Sequence, residues 1–492
     1  MYFKKATPES VGISSDKVRE LMEIYDKNGL CTHSILMAKG DKIFLESYYQ
    51  PFSRDFKHRM YSVTKSFVAI AILFLVDEGK ISLDDKFASF FEDDLTEHAN
   101  DLLRETTIKD MLTMETSVHS GTSWFKAKHH NRVDSYFAKP SDKIPGTLFE
   151  YDSAGSYMLG VIVERVTGKP FIEYLREKFL DDIGFSKDAY CLKAPGGYSW
   201  GDSALMCTSE DLLKVARFVM NKGEWNGKQY IDKKLMEDAT SPLVCNDNKA
   251  ITAYNTCGYG YQIWMAPDGG FSFNGMGCQF AICHPKTDLV FVITSDNQGN
   301  DFSKNLIFYE LYKTIIDNMG EPMEENEESY KKLCDYASSR KLFSLKEEND
   351  NPFIKEINNV KYKLEENPMN IDWISLSFDG KKGTFKYKNL QGEKELIFGI
   401  GYNEFGVFPQ EGYSDMVGNE YCPGNYYKCA CSADWAEEKK LRIKVQIIDK
   451  YFGQACFVFS FKDDRVYVSM EKTAEYFMME YVGKTRGKIM EM

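Results

Sequence analysis

Met60-Tyr61-Ser62-Val63-Thr64-Lys65-Ser66-Phe67-Val68-Ala69-Ile70-Ala71-Ile72-Leu73-Phe74-Leu75-Val76-Asp77-Glu78-Gly79 reads as a buried helix with chemistry at its first turn. Phe67 to Val76 is an unbroken apolar run of ten residues, too short to cross a bilayer. Gly79 supplies the residue that ends a helix, so the predicted helix runs from about Ser62 to Glu78. Ser62 and Lys65 stand at i and i+3 on one face, where the amine can reach the hydroxyl. The positive end of the helix and burial both disfavour an ammonium ion, which predicts a lowered Lys65 pKa. A neutral amine beside a serine can take its proton and activate it as a nucleophile. The N–H of Ser62, at the helix N-terminus, is placed to help bind an oxyanion. Ser-x-x-Lys is a common pattern by chance. A lysine one turn into an apolar helix gives it weight, because a buried charge is costly without a task.

On the N-terminal side, His33–Ala38 and Lys42–Tyr48 are extended runs joined by Gly40-Asp41, a hairpin signal. Downstream, helical patterns cover Thr107–Met114, Ser156–Val166, Ser209–Met220 and Lys233–Ala239. The period then changes to that of strands at Tyr259–Trp264, Phe271–Asn274, Cys278–Cys283 and Leu289–Ser295, an antiparallel meander followed by a helix over Lys304–Asn318. One N-terminal hairpin and three or four later strands can form a single sheet if the chain ends meet. Gly320–Glu327 is acidic and contains Pro322, the mark of a linker, and Ser329–Leu345 reads as a charged helix. From about Pro352 strands predominate, among them Ile374–Phe378, Leu441–Ile448, Ala455–Phe461 and Arg465–Met470. These predict a small antiparallel barrel or sandwich.

The chain has 492 residues, 43% hydrophobic and 14% aromatic, enough for two globular domains with large cores. The expected boundaries are 1–320, a connection over 321–351, and 352–492. A net charge of -13 argues against binding nucleic acid or an anionic membrane surface, both of which need a cationic face. The N-terminal residues have no apolar core of signal-peptide length, and the twelve cysteines are scattered. The expectation is a cytoplasmic protein with reduced thiols. Cys422, Cys429 and Cys431 lack a Cys-x-x-Cys pair and a nearby histidine, so no metal or other cofactor is implied.

A second constellation lies in Pro145-Gly146-Thr147-Leu148-Phe149-Glu150-Tyr151-Asp152-Ser153. A Pro-Gly turn leads into Tyr151, whose phenol can project into a cleft beside Ser153 or pack as an ordinary buried tyrosine. Taken with Ser62-Val63-Thr64-Lys65, Glu9-Ser10-Val11-Gly12-Ile13, Thr107–Met114 and Tyr259-Gly260-Tyr261-Gln262-Ile263-Trp264, this segment resembles the serine β-lactamases and penicillin-binding proteins, especially the class C and esterase-like branch. The resemblance spans roughly Pro8 to Asn318, with the matches in the family's order. It implies an α/β (α+β) fold: a β-lactamase-like domain with an antiparallel sheet and a helical middle, followed here by a β-rich, barrel or lipocalin-like domain.

The resemblance also implies roles. Ser62 is acylated and Lys65 shares its proton. Tyr151 is acid and base for the leaving group and for the deacylating water, and Ser153 hydrogen-bonds substrate or Lys65. The family's third motif falls at Phe273-Asn274-Gly275, with Met276 giving an oxyanion-hole N–H. The basic residue usual in that motif is missing. Such a residue supports recognition of a substrate carboxylate, and a neutral ester or amide would not need it. Lys126 and Lys128 are candidates to replace it.

The expected activity is acyl transfer to Ser62 and hydrolysis of a small ester or amide. D-amino-acid peptides or β-lactams are the alternative substrates, and a catalytically silent binding protein on the same fold is the alternative role. Trp124, Tyr254 and Trp264 are candidates to wall the acyl pocket. Gly197-Tyr198-Ser199-Trp200-Gly201 matches the nucleophile elbow of another hydrolase class but lacks its preceding strand and following helix. His129-His130 reads as solvated surface.

Overall fold

The computed structural model describes residues 3–97, 99–118, 131–247, 254, 256–346 and 351–490. The chain forms two compact units, Met1–Lys341 with Asp415–Gly418, and Leu342–Ser414 with Asn419–Met492.

The first unit is built on one seven-stranded sheet. Its strands are Lys4–Lys5 (β1), Thr32–Lys39 (β2), Lys42–Tyr48 (β3), Trp264–Ala266 (β4), Gly270–Gly275 (β5), Gln279–His284 (β6) and Leu289–Ser295 (β7), in the order β1-β3-β2-β7-β6-β5-β4. The N-terminal hairpin and the later meander meet where β7 pairs antiparallel with β2, from Leu289↔Lys39 to Thr294↔Ser34. Gly40 turns the hairpin at φ 60°.

Helices cover both faces of the sheet. On one side Ser15–Lys27 (α1), Asp301–Thr314 (α5) and Glu327–Ser338 (α6) share a core with the sheet through Leu21, Phe280, Phe308 and Leu333. On the other side lie Val63–Asp77 (α2) and Ser209–Met220 (α4), with Ser153–Thr167 (α3) packed on α2. Helix α2 is buried from Val63 to Leu75, as an all-round apolar helix must be.

Several elements differ from expectation. Helix α1 has a plain signature that the sequence reading passed over. Ser14 accepts from Lys17 N–H, and Val18, Leu21, Met22 and Tyr25 recur at helical spacing. Helix α3 begins at Ser153 rather than Ser156, because Asp152 caps it by accepting from Gly155 N–H. Helix α5 starts three residues before Lys304 and ends at Thr314, followed by a single 3-10 turn, Ile316–Asn318. Helix α6 ends at Ser338, well short of Leu345, and packs Leu333 and Ala337 into the first unit's core.

Tyr259–Trp264 is not a strand. Gln262 takes φ 56°, and a Cβ at Gly260 would stand 2.1 Å from the Ala239 carbonyl oxygen. The apolar run imitates a strand in sequence, but the chain turns inside it and β4 begins only at Trp264.

The second unit is a β-barrel. Its strands are Lys361–Leu364 (β8), Trp373–Asp379 (β9), Lys382–Asn389 (β10), Gly392–Ile400 (β11), Glu404–Tyr413 (β12), Tyr421–Glu437 (β13), Lys440–Ile447 (β14), Gln454–Lys462 (β15), Arg465–Thr473 (β16) and Gly483–Ile489 (β17). Pairing of β11 with β13 at Gly399↔Ser432 and Ile400↔Ala433 closes the sheet on itself. Strand β14 buries Leu441, Ile443, Val445 and Ile447, the alternation its sequence predicts. Aromatic side chains fill the interior, with Tyr387 Oη 2.7 Å from Tyr481 Oη and Phe385 stacked on Tyr387.

A buried histidine pair in the first unit carries a stability prediction. His58 Nδ1–H donates to the Arg59 carbonyl, which leaves Nε2 bare to accept from His33 Nδ1–H at 2.8 Å. Both rings are neutral, and burial holds both pKa values down, that of His58 to about 3. An unfolded histidine takes its proton near pH 6.5. Stability is therefore complete above that pH and falls as pH drops towards the folded values, by about 2 kcal/mol per imidazole between pH 6.5 and 5. Urea midpoints at pH 7.5 and 5 test this, because most carboxylates titrate lower. A midpoint flat over that window would sink the idea.

Candidate active site

Ser62 is the N-cap of α2, yet its side chain makes no capping hydrogen bond. An N-cap serine ordinarily gains about 1 kcal/mol by accepting a backbone N–H. Here Oγ is held instead by Lys65, whose Nζ donates to Ser62 Oγ at 2.9 Å and to the Asp202 carbonyl oxygen at 2.7 Å. Lys65 is 2% exposed. Tyr61, just before the serine, takes φ 46°, a conformation that costs a non-glycine residue and marks a functional turn. Thr64 locks that turn: its hydroxyl donates to the Tyr61 carbonyl at 2.6 Å and accepts from Leu205 N–H at 3.1 Å.

Tyr151 comes from the segment that enters α3. Its ring lies 5.2 Å from Lys65 Nζ and stacks on Trp264 with centroids 5.5 Å apart. Phe149, Tyr259 and Met114 form a small apolar cluster behind that pair. Below it, Asp152 N–H donates to the Met114 sulfur, and the Asp152 carboxylate accepts from Thr116 Oγ1. Gln262, absent from the expected site, is the hub of the scaffold. Its side chain accepts from Ser156 Oγ and donates to the Met111 carbonyl, while its own carbonyl accepts from Ser66 Oγ. One buried residue thus ties together the serine helix, the tyrosine helix and the edge of the sheet.

The third segment approaches from β5. A Cβ at Gly275 would stand 2.4 Å from the Met60 carbonyl oxygen, so only glycine lets the strand lie this close to the serine turn. The following turn is held from behind. Gln279 Nε2 donates to the Met276 carbonyl, and Ser295 Oγ donates to the Gly277 carbonyl. Gly275→Ala is expected to lower kcat about 10²-fold, the usual cost of a shift near 1 Å. Steady-state kinetics check this, and an unchanged kcat would show that the approach is not needed.

Lys65 touches Ser62, the Tyr151 ring lies over Lys65 with Trp264 stacked on it, and Gly275 lies against Met60, two residues before Ser62. Ser153 is the first residue of α3, buried, and Lys65 spends its hydrogen bonds on Ser62 and Asp202 rather than on Ser153. Neither side-chain nitrogen nor oxygen of Asn274 has a partner among the described residues. Tyr254 packs on Phe308 and Tyr312, in the core rather than beside Ser62. Trp124, Lys126, Lys128, His129 and His130 lie outside the described residues. Ser199 is buried, and its N–H donates to Glu164.

The sequence reading missed the Asp202 cluster. The Asp202 carboxylate is fully buried, burial raises its pKa, and its neighbours Lys65, Arg132 and Arg59 oppose that rise. The Arg59 and Arg132 guanidiniums lie 4.7 and 4.4 Å from the Trp200 ring. Among the described residues no group of histidine, cysteine and carboxylate side chains is placed to hold a metal ion.

Residues 15–311 match the family model described as Beta-lactamase. The 6-aminohexanoate-dimer hydrolase of Paenarthrobacter ureafaciens is 24% identical over 285 residues, 53% of this chain and 72% of that protein. Among solved structures, the octameric penicillin-binding protein homologue from Pyrococcus abyssi matches with a TM-score of 0.50 and 17% identity, covering 96% of this chain and 99% of that one. A penicillin-binding protein homolog from Caulobacter crescentus has the same TM-score and identity and covers 62% of this chain and 99% of its own. At such identity these two likenesses speak for the fold alone. The family model spans more than half of the chain, over the unit that holds Ser62, Lys65 and Tyr151: the chain belongs to the Beta-lactamase family and is a β-lactamase-related serine hydrolase.

Proposed function

We propose that the chain hydrolyses a small ester or amide through an acyl-enzyme on Ser62. The observation that carries this reading is the 2.9 Å contact between Lys65 Nζ and Ser62 Oγ, in a buried setting beside Tyr151. Ser62 Oγ attacks the carbonyl carbon and its proton passes to Lys65 Nζ. The tetrahedral oxyanion is met by the N–H groups of Ser62 and Met276. The bond to the leaving group then breaks, and that group departs with the phenolic proton of Tyr151. Water attacks the acyl-enzyme and gives its proton back to Tyr151, while Lys65 returns a proton to Ser62 Oγ as the acid leaves. Each group ends as it began, and no metal or cofactor takes part.

The relative named for 6-aminohexanoate-dimer hydrolysis supports including amides in the substrate class. The buried cysteines Cys207, Cys278, Cys283, Cys429 and Cys431 are thiols outside any disulfide, which supports a reducing compartment and hence a cytoplasmic location. No helix among the described residues is long and apolar enough to cross a membrane.

The test is initial rates on a short-chain p-nitrophenyl ester, a D-alanyl anilide and a chromogenic cephalosporin, with Ser62→Ala as control. Turnover of the ester or anilide that the variant lacks supports the proposal. Turnover of the cephalosporin alone would replace it with β-lactam hydrolysis. Turnover that survives in Ser62→Ala would overturn the acyl-enzyme.

A further inference from the structure

The basic residue missing from Phe273-Asn274-Gly275 has a counterpart elsewhere in the fold. Lys304 stands in the first turn of α5, four residues before Phe308, so the two share the sheet-facing side of that helix. Phe308 packs on Phe280, with ring centroids 5.4 Å apart. Lys304 Nζ lies 5.9 Å from the same Phe280 ring and 5.3 Å from Trp264, the indole that stacks on Tyr151. The register sets what else faces it. Asn274 pairs with Phe280 and Ser272 with Trp264, so these four side chains lie on one face of the sheet. Asn274, with its amide unpartnered among the described residues, therefore lies on the same face as the rings that Lys304 covers. Met276 follows two residues later.

This ammonium is largely buried against aromatic rings, and no carboxylate among the described residues acts on it. Burial lowers its pKa to about 8. A cation taken from water without an anion costs free energy, and an arriving carboxylate would recover it through charge-assisted hydrogen bonds. We propose that Lys304, with the Asn274 amide, recognises a carboxylate on the substrate, so that the preferred ester or amide carries an anionic group on the part lying along Trp264. This deepens the acyl-enzyme reading and rests on it for the position of the scissile bond.

The test separates binding from chemistry. In the Ser62→Ala background, monomethyl glutarate is expected to bind more tightly than neutral dimethyl glutarate by about tenfold or more. Lys304→Met should erase the difference, and Lys304→Arg should keep most of it. In the enzyme with Ser62 intact, the kcat/KM ratio of mono-p-nitrophenyl glutarate to p-nitrophenyl pentanoate should collapse in Lys304→Met, mainly through KM. Equal affinity for the two glutarates, no binding of either, or a preference that survives Lys304→Met would each overturn the assignment. A binding preference without turnover of either ester would sink the acyl-enzyme reading and leave Lys304 standing. Turnover without a binding preference would do the reverse.

Discussion

Ser62→Ala is expected to lower kcat for the best ester or amide by about 10⁴- to 10⁶-fold, the range seen when a catalytic serine is removed from a unit that acts together. The same variant should fold as well as the parent. The Ser62 hydroxyl makes no cap with the helix backbone, so its removal takes away one hydrogen bond from Lys65 and no helix stabilisation. Mass spectrometry of the protein quenched during turnover is the direct check. The parent should carry the mass of one acyl group on the peptide containing Ser62, and the variant none. An adduct on another residue, or full activity in the variant, would remove Ser62 from the mechanism.

The second large effect is Lys65→Met, which keeps the length and apolar stem of the side chain but cannot take a proton. A positioned base contributes about 10²- to 10⁴-fold, and Lys65 is the one amine in contact with Ser62 Oγ among the described residues. The acylation rate, read as the burst in single-turnover kinetics, should fall by that factor. Thermal stability should move little. The variant loses the hydrogen bond to the Asp202 carbonyl, about 1 kcal/mol, and it also removes a buried polar amine that was costly to desolvate. Buried Asp202 keeps the charges of Arg132 and Arg59. Acylation within tenfold of the parent would mean that Tyr151 alone serves as the base.

The catalytic reading was legible because its first pair is local. Ser62 and Lys65 are one helical turn apart in an apolar run, and helix geometry alone brings them together. The hairpin at Gly40-Asp41 and the alternation of β14 were legible for the same reason. Helix α1 was equally local and was passed over, although Ser14 and the spacing of Val18, Leu21, Met22 and Tyr25 spell it out. Tyr259–Trp264 failed in the opposite way. Its apolar content suits a strand, and only the packing of Gly260 against Ala239 and the left-handed turn at Gln262 show why it is not one.

By itself the sequence determined the serine helix, the strands on either side of it, a second β-rich unit and the three residues expected to react. Tertiary structure decided the rest. It put the Asp202 carbonyl behind Lys65, set Trp264 against Tyr151, and made Gln262 the tie between helices. It also carried Lys304 over the same indole from a helix far along the chain. These contacts join residues distant in sequence, so no periodicity or spacing encodes them. They exist because β7 pairs with β2 and closes the sheet between the two ends of the first unit. A cation can then be missing from the strand motif and be supplied by the helix that packs on it.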